Sequence, residues 1–319
     1  MDKKLIVSSS PHMRGGTSTQ KIMLDVIIAL IPAGVAACIL FGWNALMIIA
    51  VSVLSCVLCE YICRKVMKRP NTVQDLSAVV TGLLLAYNLP ANINPLIAAF
   101  GGVVAIVVVK QMFGGIGQNF VNPALTARIV LMSSFPASMS GSNWVIPFWY
   151  KASSDAMTSA TPLGLLAEGK TEQIPSYLNM FLGARGGCLG ETCALALILG
   201  GIYLVARKVI SPIIPLCYVG TVAVFSLLLG RDVLLDLLSG GLLLGAIFMA
   251  TDYTTSPLYF KGKIIYAIGC GILTILIRTF GAMPEGVSFS IVLMNILVPL
   301  IERATKPKPF GKEPEKHEA

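Results

Sequence analysis

The chain has 319 residues, 55% of them hydrophobic and 13% charged, with a formal net charge of +8 and a mean hydropathy of +0.78. A charged share about half that of an average soluble domain excludes water as the main solvent of the fold. The basic residues fall in short clusters between apolar runs without interleaved aromatics, which argues against nucleic acid and for a membrane surface.

Residues 1–21 read as a charged N-terminal segment. The apolar run after them is too long for a cleaved signal and further runs follow it, so it is read as a retained first span. A helix needs roughly 20 apolar residues to cross a bilayer, fewer when it is broken and buried against neighbours. This yardstick predicts an all-α polytopic membrane protein of about ten transmembrane helices, at 22–41, 44–62, 76–89, 93–112, 120–135, 188–206, 212–230, 233–250, 262–279 and 287–303. The third and fifth are short and interrupted by Gly, Pro or Asn, which marks them as helices buried in protein and as functional suspects. The segment 136–187 is far longer than any other loop and is expected to lie outside the lipid. The end, 304–319, is Pro- and Lys-rich and is read as a disordered tail.

The spans divide five and five around that loop, as 22–135 and 188–303. The halves share a faint pattern, DLSAVVTGLLLA then KQMFGGIGQNFVNPAL against DLLSGGLLLGAI then IRTFGAMPEGVSFSIV. An odd number of spans per repeat inverts the second copy, and inverted repeats with broken helices place sites at the interface of the halves. Lys and Arg concentrate on one side, which the positive-inside rule makes cytoplasmic and which holds both termini. Lys151, Lys170, Arg185 and Arg231 fall on the other, so the long loop is expected outside.

Within the second span Cys56, Cys59 and Cys63 recur at i, i+3 and i+7 on one face. Three thiolates are part of an iron-sulfur ligand set, yet no fourth ligand is evident and packing of small residues is the favoured reading, as it is for Cys188 and Cys193. Asp25 and Glu60 lie near span ends, where hydration is available, and are expected to be interfacial. Arg128, inside the fifth span, costs roughly 2.5–3.5 kcal/mol on insertion scales and calls for an anionic partner, as does Arg278. Asp252 is in the same open position.

Signatures of soluble enzymes are missing: no GxxxxGK[ST], no GxGxxG after a strand and no HExxH, with His12 and His317 the only histidines. What remains is Asp155-Ala-Met-Thr158-Ser159-Ala160-Thr161-Pro162-Leu163-Gly164 in the long loop, by composition a plain polar turn.

That run resembles the flavinylation motif of bacterial electron-transfer subunits: Asp, two variable residues, Ser/Thr, Gly/Ser, Ala, and a Thr that receives FMN through a phosphoester. Asp155, Thr158, Ser159, Ala160 and Thr161 match, with Ser159 where Gly is commoner. Together with the span plan and Gly114–Leu125 (GGIGQNFVNPAL), the whole chain resembles the D-subunit family of the Rnf complexes. The resemblance implies a flavin-carrying membrane subunit of an ion-translocating ferredoxin:NAD oxidoreductase in a bacterial cell membrane, inactive alone and working with other flavin- and iron-sulfur-carrying subunits. It further implies covalent FMN on Thr161 attached by a flavin transferase, riboflavin as a second flavin, and coupling of electron transfer to Na+ or H+ movement. Thr158 and Ser159 would then offer hydroxyl hydrogen bonds near the phosphate, and Asp155 would assist recognition by the transferase. Gly114, Gly115 and Gly117 with Asn119 and Asn122 either approach a flavin or form a helix break with a satisfied polar lining. Arg128 meets a flavin phosphate, a carboxylate or a structural partner. The B subunit of the sodium-pumping NADH:quinone reductase shares the motif and plan but has a longer N-terminal region. A non-redox transporter or channel on the same inverted-repeat plan is the competing class, and a purely structural anchor leaves the Thr161 run unexplained.

Overall fold

The computed structural model of the chain describes residues 18–139, 144–145, 158–159, 161–167, 169–281 and 286–307. Its apolar runs fold as helices because little in them stops a helix, and where a start is needed a capping side chain supplies it. Helix α1 (Thr19–Phe41) begins at Ser18, whose hydroxyl accepts from the Lys21 amide at 3.3 Å. Asn94 and Asn122 cap the starts of α4 (Pro95–Val103) and α5 (Pro123–Ser134), each followed by Pro at the first helical position, where its missing N–H is harmless. Between α1 and α4 lie α2 (Trp43–Val66) and α3 (Ser77–Tyr87).

In the connection between the halves sit the short helices α6 (Pro136–Met139), α7 (Pro162–Ala167) and α8 (Tyr177–Leu182). Strands β1 (Trp144–Val145) and β2 (Thr158–Ser159) pair antiparallel there, and they are the only named strands among the described residues. The second half carries α9 (Ala194–Ala206), α10 (Ile213–Leu228), the broken pieces α11 (Val233–Leu238) and α12 (Leu242–Leu244), then α13 (Phe260–Phe280) and α14 (Val287–Thr305).

Helices α1, α2, α13 and α14 are long and apolar enough to cross a membrane, and Ser77–Tyr87, Pro95–Gln111, Ala194–Ala206 and Ile213–Leu228 are shorter apolar helices. This is the architecture of a multi-pass membrane protein. Large apolar side chains on the outer faces, such as Leu54, Leu58 and Ile62 of α2, are exposed. In lipid that is the low-energy arrangement, so the interior is held instead by close helix contacts and hydrogen bonds. A Cβ on Gly200 of α9 would overlap the Ala29 carbonyl oxygen of α1, and one on Gly82 of α3 would lie 2.7 Å from the Val53 Cα of α2. Tyr87, fully enclosed, donates its hydroxyl to the Leu30 carbonyl at 2.9 Å.

Two departures from the expected spans matter. The eighth, 233–250, is not one helix: it breaks at Ser239–Gly241 and resumes as α12 and a π-helical stretch, Gly245–Met249. A second π-helical stretch, Val104–Gln111, continues α4. The sixth starts late, because Cys188 bridges to Pro90 and the turn after it is bonded to the end of α3: Leu189 N–H donates to the Leu89 carbonyl at 3.0 Å and Gly190 N–H to the Tyr87 carbonyl at 2.9 Å. Cys56 packs with Ala78 and Ile106 in a buried contact, consistent with its packing role.

Candidate functional site

The residues singled out in the sequence come to two places at opposite ends of α1. At its N-terminal end a cavity of about 380 Å³ opens between the halves, walled by Ile22, Met23, Val26, Val80, Leu84 and Phe248. Polar groups converge on it from both halves: Ser77, Thr81, Lys110, Asn119 and Asn122 from the first, Thr251, Asp252 and Thr254 from the second. The break after the π-helical stretch of the first half supplies the two asparagines, and the turn after that of the second supplies Asp252.

Each polar group is held. Lys110 Nζ lies 2.7 Å from Glu60 Oε2 and donates to Ser77 Oγ at 2.7 Å, while Thr72 donates to Glu60 Oε1 at 2.7 Å. Glu60, expected at a hydrated span end, is instead 0% exposed; position along its own helix gives no warning that Lys110 reaches it from another. Asp252 accepts from the hydroxyls of Thr254 at 2.9 Å and Thr255 at 3.3 Å. The Asn122 oxygen caps α5 by accepting from the Ala124 and Leu125 amides, and its Nδ2 donates to the Met249 carbonyl of Gly245–Met249 at 3.3 Å, which ties the halves together. Asn119 donates to the Val121 carbonyl at 3.2 Å. Asp25 meets Tyr203 at 3.0 Å and the exposed Arg207 at 3.4 Å near the same end.

Thr161 lies at the other end, roughly 27 Å along α1 at the usual helical rise. Gly183, beside Leu40 of α1, terminates α8 there. Thr161 is buried and caps α7: its Oγ1 accepts from the Gly164 amide at 3.1 Å, its carbonyl accepts from Leu165 at 2.9 Å, and Pro162 follows it. Leu163 packs with Met180 of α8 and Leu235 of α11 and so fixes α7 on the bundle. Tyr177 donates to the Asp232 carboxylate, whose acceptance of that proton pushes the phenol above its ordinary range. Thr158 and Ser159 stand in β2 opposite Val145 and Trp144. Asp155 lies outside the described residues.

Arg128 is not at the cavity with Asn119 and Asn122. It donates to Asn88 Oδ1 at 2.7 Å and to Cys188 Sγ at 3.5 Å, beside the turn after Cys188, and a Cβ on Gly241 would touch both Arg128 Nη1 and Glu191 Oε2. Arg278 donates to the Asp236 and Ser239 carbonyls at 2.6 and 3.0 Å and lies 3.7 Å from the Asp236 carboxylate, which Arg231 also binds at 2.9 Å. Arg278 thus braces the broken eighth span beside Leu163, and Arg128 ties the end of α3 to Cys188. Ser77 and Thr81 at the cavity carry no mark in the sequence, where each reads as an ordinary span residue, and Lys110 reads there only as one of the cytoplasmic basic residues.

The NQR2, RnfD, RnfE family matches residues 6–311. The chain is 51% identical over 317 residues to the D subunit of the Na(+)-translocating ferredoxin:NAD(+) oxidoreductase complex of Acetobacterium woodii, covering 99% of this chain and 98% of that one. It is 43% identical to the D subunit of the proton-translocating ferredoxin:NAD(+) oxidoreductase complex of Clostridium ljungdahlii, covering 96% of each. It is 39% identical to the D subunit of the ion-translocating oxidoreductase complex of Stutzerimonas stutzeri, covering 93% of each.

Proposed function

The chain belongs to the NQR2, RnfD, RnfE family, and from this we propose that it is the flavin-carrying membrane subunit of an ion-translocating ferredoxin:NAD oxidoreductase, acting only within a complex of further subunits. The observation that carries this reading is near-complete, high-identity coverage of relatives named for that activity. The coupling ion is Na+ or H+, the two named in those relatives.

The finer architecture is ten membrane segments in two inverted halves, 22–135 and 188–303, around an external loop 136–187, with 1–21 and 304–319 cytoplasmic. The packing supports it. Helix α2 packs on α3 and α4 as α10 packs on α11 and α13, while the corresponding members α1 and α9, and α5 and α14, touch each other across the seam. Corresponding helices meet in this way where they lie close to a two-fold axis between the halves.

FMN is carried on Thr161 as a phosphoester placed by a flavin transferase that recognises Asp155, with the hydroxyls of Thr158 and Ser159 available near the phosphate. The local geometry fits: a phosphoester replaces the hydroxyl hydrogen but leaves oxygen lone pairs, so the cap bond from the Gly164 amide survives modification. Riboflavin fits the cavity, whose size is in the range of small-molecule sites and whose apolar walls carry a few convergent polar groups. A bound flavin would supply the change between one- and two-electron transfer. The chain's own part is to position and to set charge. Lys110, fixed by Glu60 and Ser77, holds a positive charge at the cavity wall, Asp252 holds a carboxylate opposite it, and Asn122 keeps the two halves in register around both. Arg278 braces the broken eighth span, and Arg128 ties the end of α3 to Cys188.

Co-expression with a flavin transferase followed by a denaturing gel tests the covalent site. A fluorescent wild-type band absent from Thr161→Ala is expected; a dark wild-type band despite active transferase would sink the flavin reading and favour a transporter. Flavin released by acid from the Thr161→Ala protein reports the cavity separately. Vesicles holding the complex that oxidise reduced ferredoxin without building an ion gradient would refute the coupling.

A further inference from the structure

The end of α2 holds a charge that the described fold does not balance. Arg64, in the last turn of that span, is only 7% exposed, and its side chain makes no hydrogen bond or ion pair with any described residue; its Nε is buried and unpartnered. Gln111, which ends the π-helical stretch of the first half, is 0% exposed and neither polar atom of its amide has a partner. The two converge. A Cβ on Gly115 would overlap Arg64 Nη2 and lie 3.7 Å from Gln111 Oε1, so guanidinium and amide meet over one point of the loop 114–117. At Gly115 φ is +107°, which lets the loop turn beneath them without a side chain in the way.

The nearest ion pair does not answer Arg64. Glu60 gives one oxygen to Lys110 and the other to Thr72, and that pair is neutral within itself. One positive charge is left, beside an amide whose Oε1 faces the same point of the loop and whose Nε2 is buried with no acceptor. A guanidinium together with an amide donor is the pattern that recognises phosphate oxygens. The location narrows the source. Arg64 ends a 24-residue apolar span whose exposed face, Leu58, Ile62 and Val66, is lipid-facing, and the exposed Lys65, Lys68 and Arg69 surround the site as a juxtamembrane basic cluster that attracts anionic lipid. Arg69 donates to the Gly114 carbonyl at 3.4 Å and so ties this cluster to the glycine loop.

We infer that Arg64, Gln111 and the loop 114–117 form a binding site for the phosphate of an anionic phospholipid at the membrane surface. The site adjoins the cavity through Lys110, so its occupancy stabilises the wall on which the proposed flavin would rest, but it stands independently of any flavin.

The full-length chain, purified in detergent and stripped of lipid, is melted with added phosphatidylglycerol, phosphatidylcholine or inorganic phosphate at equal concentration. Phosphatidylglycerol is expected to raise the Tm and phosphatidylcholine to leave it unchanged. Arg64→Gln and Gln111→Leu should each lose most of that rise, while Lys261→Gln, at the exposed start of α13, keeps it. An equal rise in both site variants and wild type, or no rise in wild type, overturns the site; an equal rise with inorganic phosphate overturns the lipid as its occupant. Should Arg64→Gln fail to fold, native mass spectrometry decides, with phosphatidylglycerol retained by wild type and lost by Gln111→Leu expected, and equal retention fatal.

Discussion

The two ends of the bundle place buried charge in different ways. At the cavity end Lys110 and Glu60 meet directly at 2.7 Å, and hydroxyls complete their coordination. At the Thr161 end Arg278, among the described residues, donates to the backbone carbonyls of Asp236 and Ser239 and stands 3.7 Å from the Asp236 carboxylate. The first arrangement positions a charge beside a space; the second splints a helix broken at Ser239–Gly241. A buried cation in a membrane protein can therefore be a site element or a structural brace, and its partners, not its depth, distinguish the two.

The comparison is broken or sharpened by substitution, with thermal melting in detergent as the measure. Lys110→Met leaves Glu60 buried and unpaired and is expected to destabilise most, by about 3–5 kcal/mol, with Glu60→Gln on the same background recovering much of it. A double variant as unstable as the single would mean that the pair is not the unit described. Arg278→Gln should cost about 1–3 kcal/mol for carbonyls left without donors. Adding Asp236→Asn should recover little, because the lost bonds are to backbone. Asn122→Ala removes both the α5 cap and the strap to Met249, for about 0.5–2 kcal/mol, and should also release flavin from the cavity more readily on washing. Thr161→Ala loses one cap on a six-residue helix that Leu163 still packs onto the bundle, about 1 kcal/mol, so the protein should remain folded while its gel fluorescence vanishes.

Helix positions are largely legible in the sequence, because long apolar runs bounded by charge leave few alternatives in lipid. The caps Asn94-Pro95 and Asn122-Pro123 are legible for a similarly local reason. The break in DLLSGGLLLGAI is not: its glycines sit in an otherwise continuous apolar run, and only the packing of Leu163 and Arg278 against Gly240 explains why the helix stops. Glu60 misleads, because distance from a span end says nothing of what another helix brings to it. Thr161 is visible through its motif alone. The cavity, assembled from Ser77, Lys110, Asn119 and Asp252 on separate elements, has no sequence pattern to announce it.

The stretch 188–190 shares two backbone hydrogen bonds with the end of α3, across the boundary between the halves. Away from water each such bond costs several kcal/mol to leave open. Mechanically the two bonds act as a clasp: the second half cannot part from the end of α3 at this point without first breaking both of them.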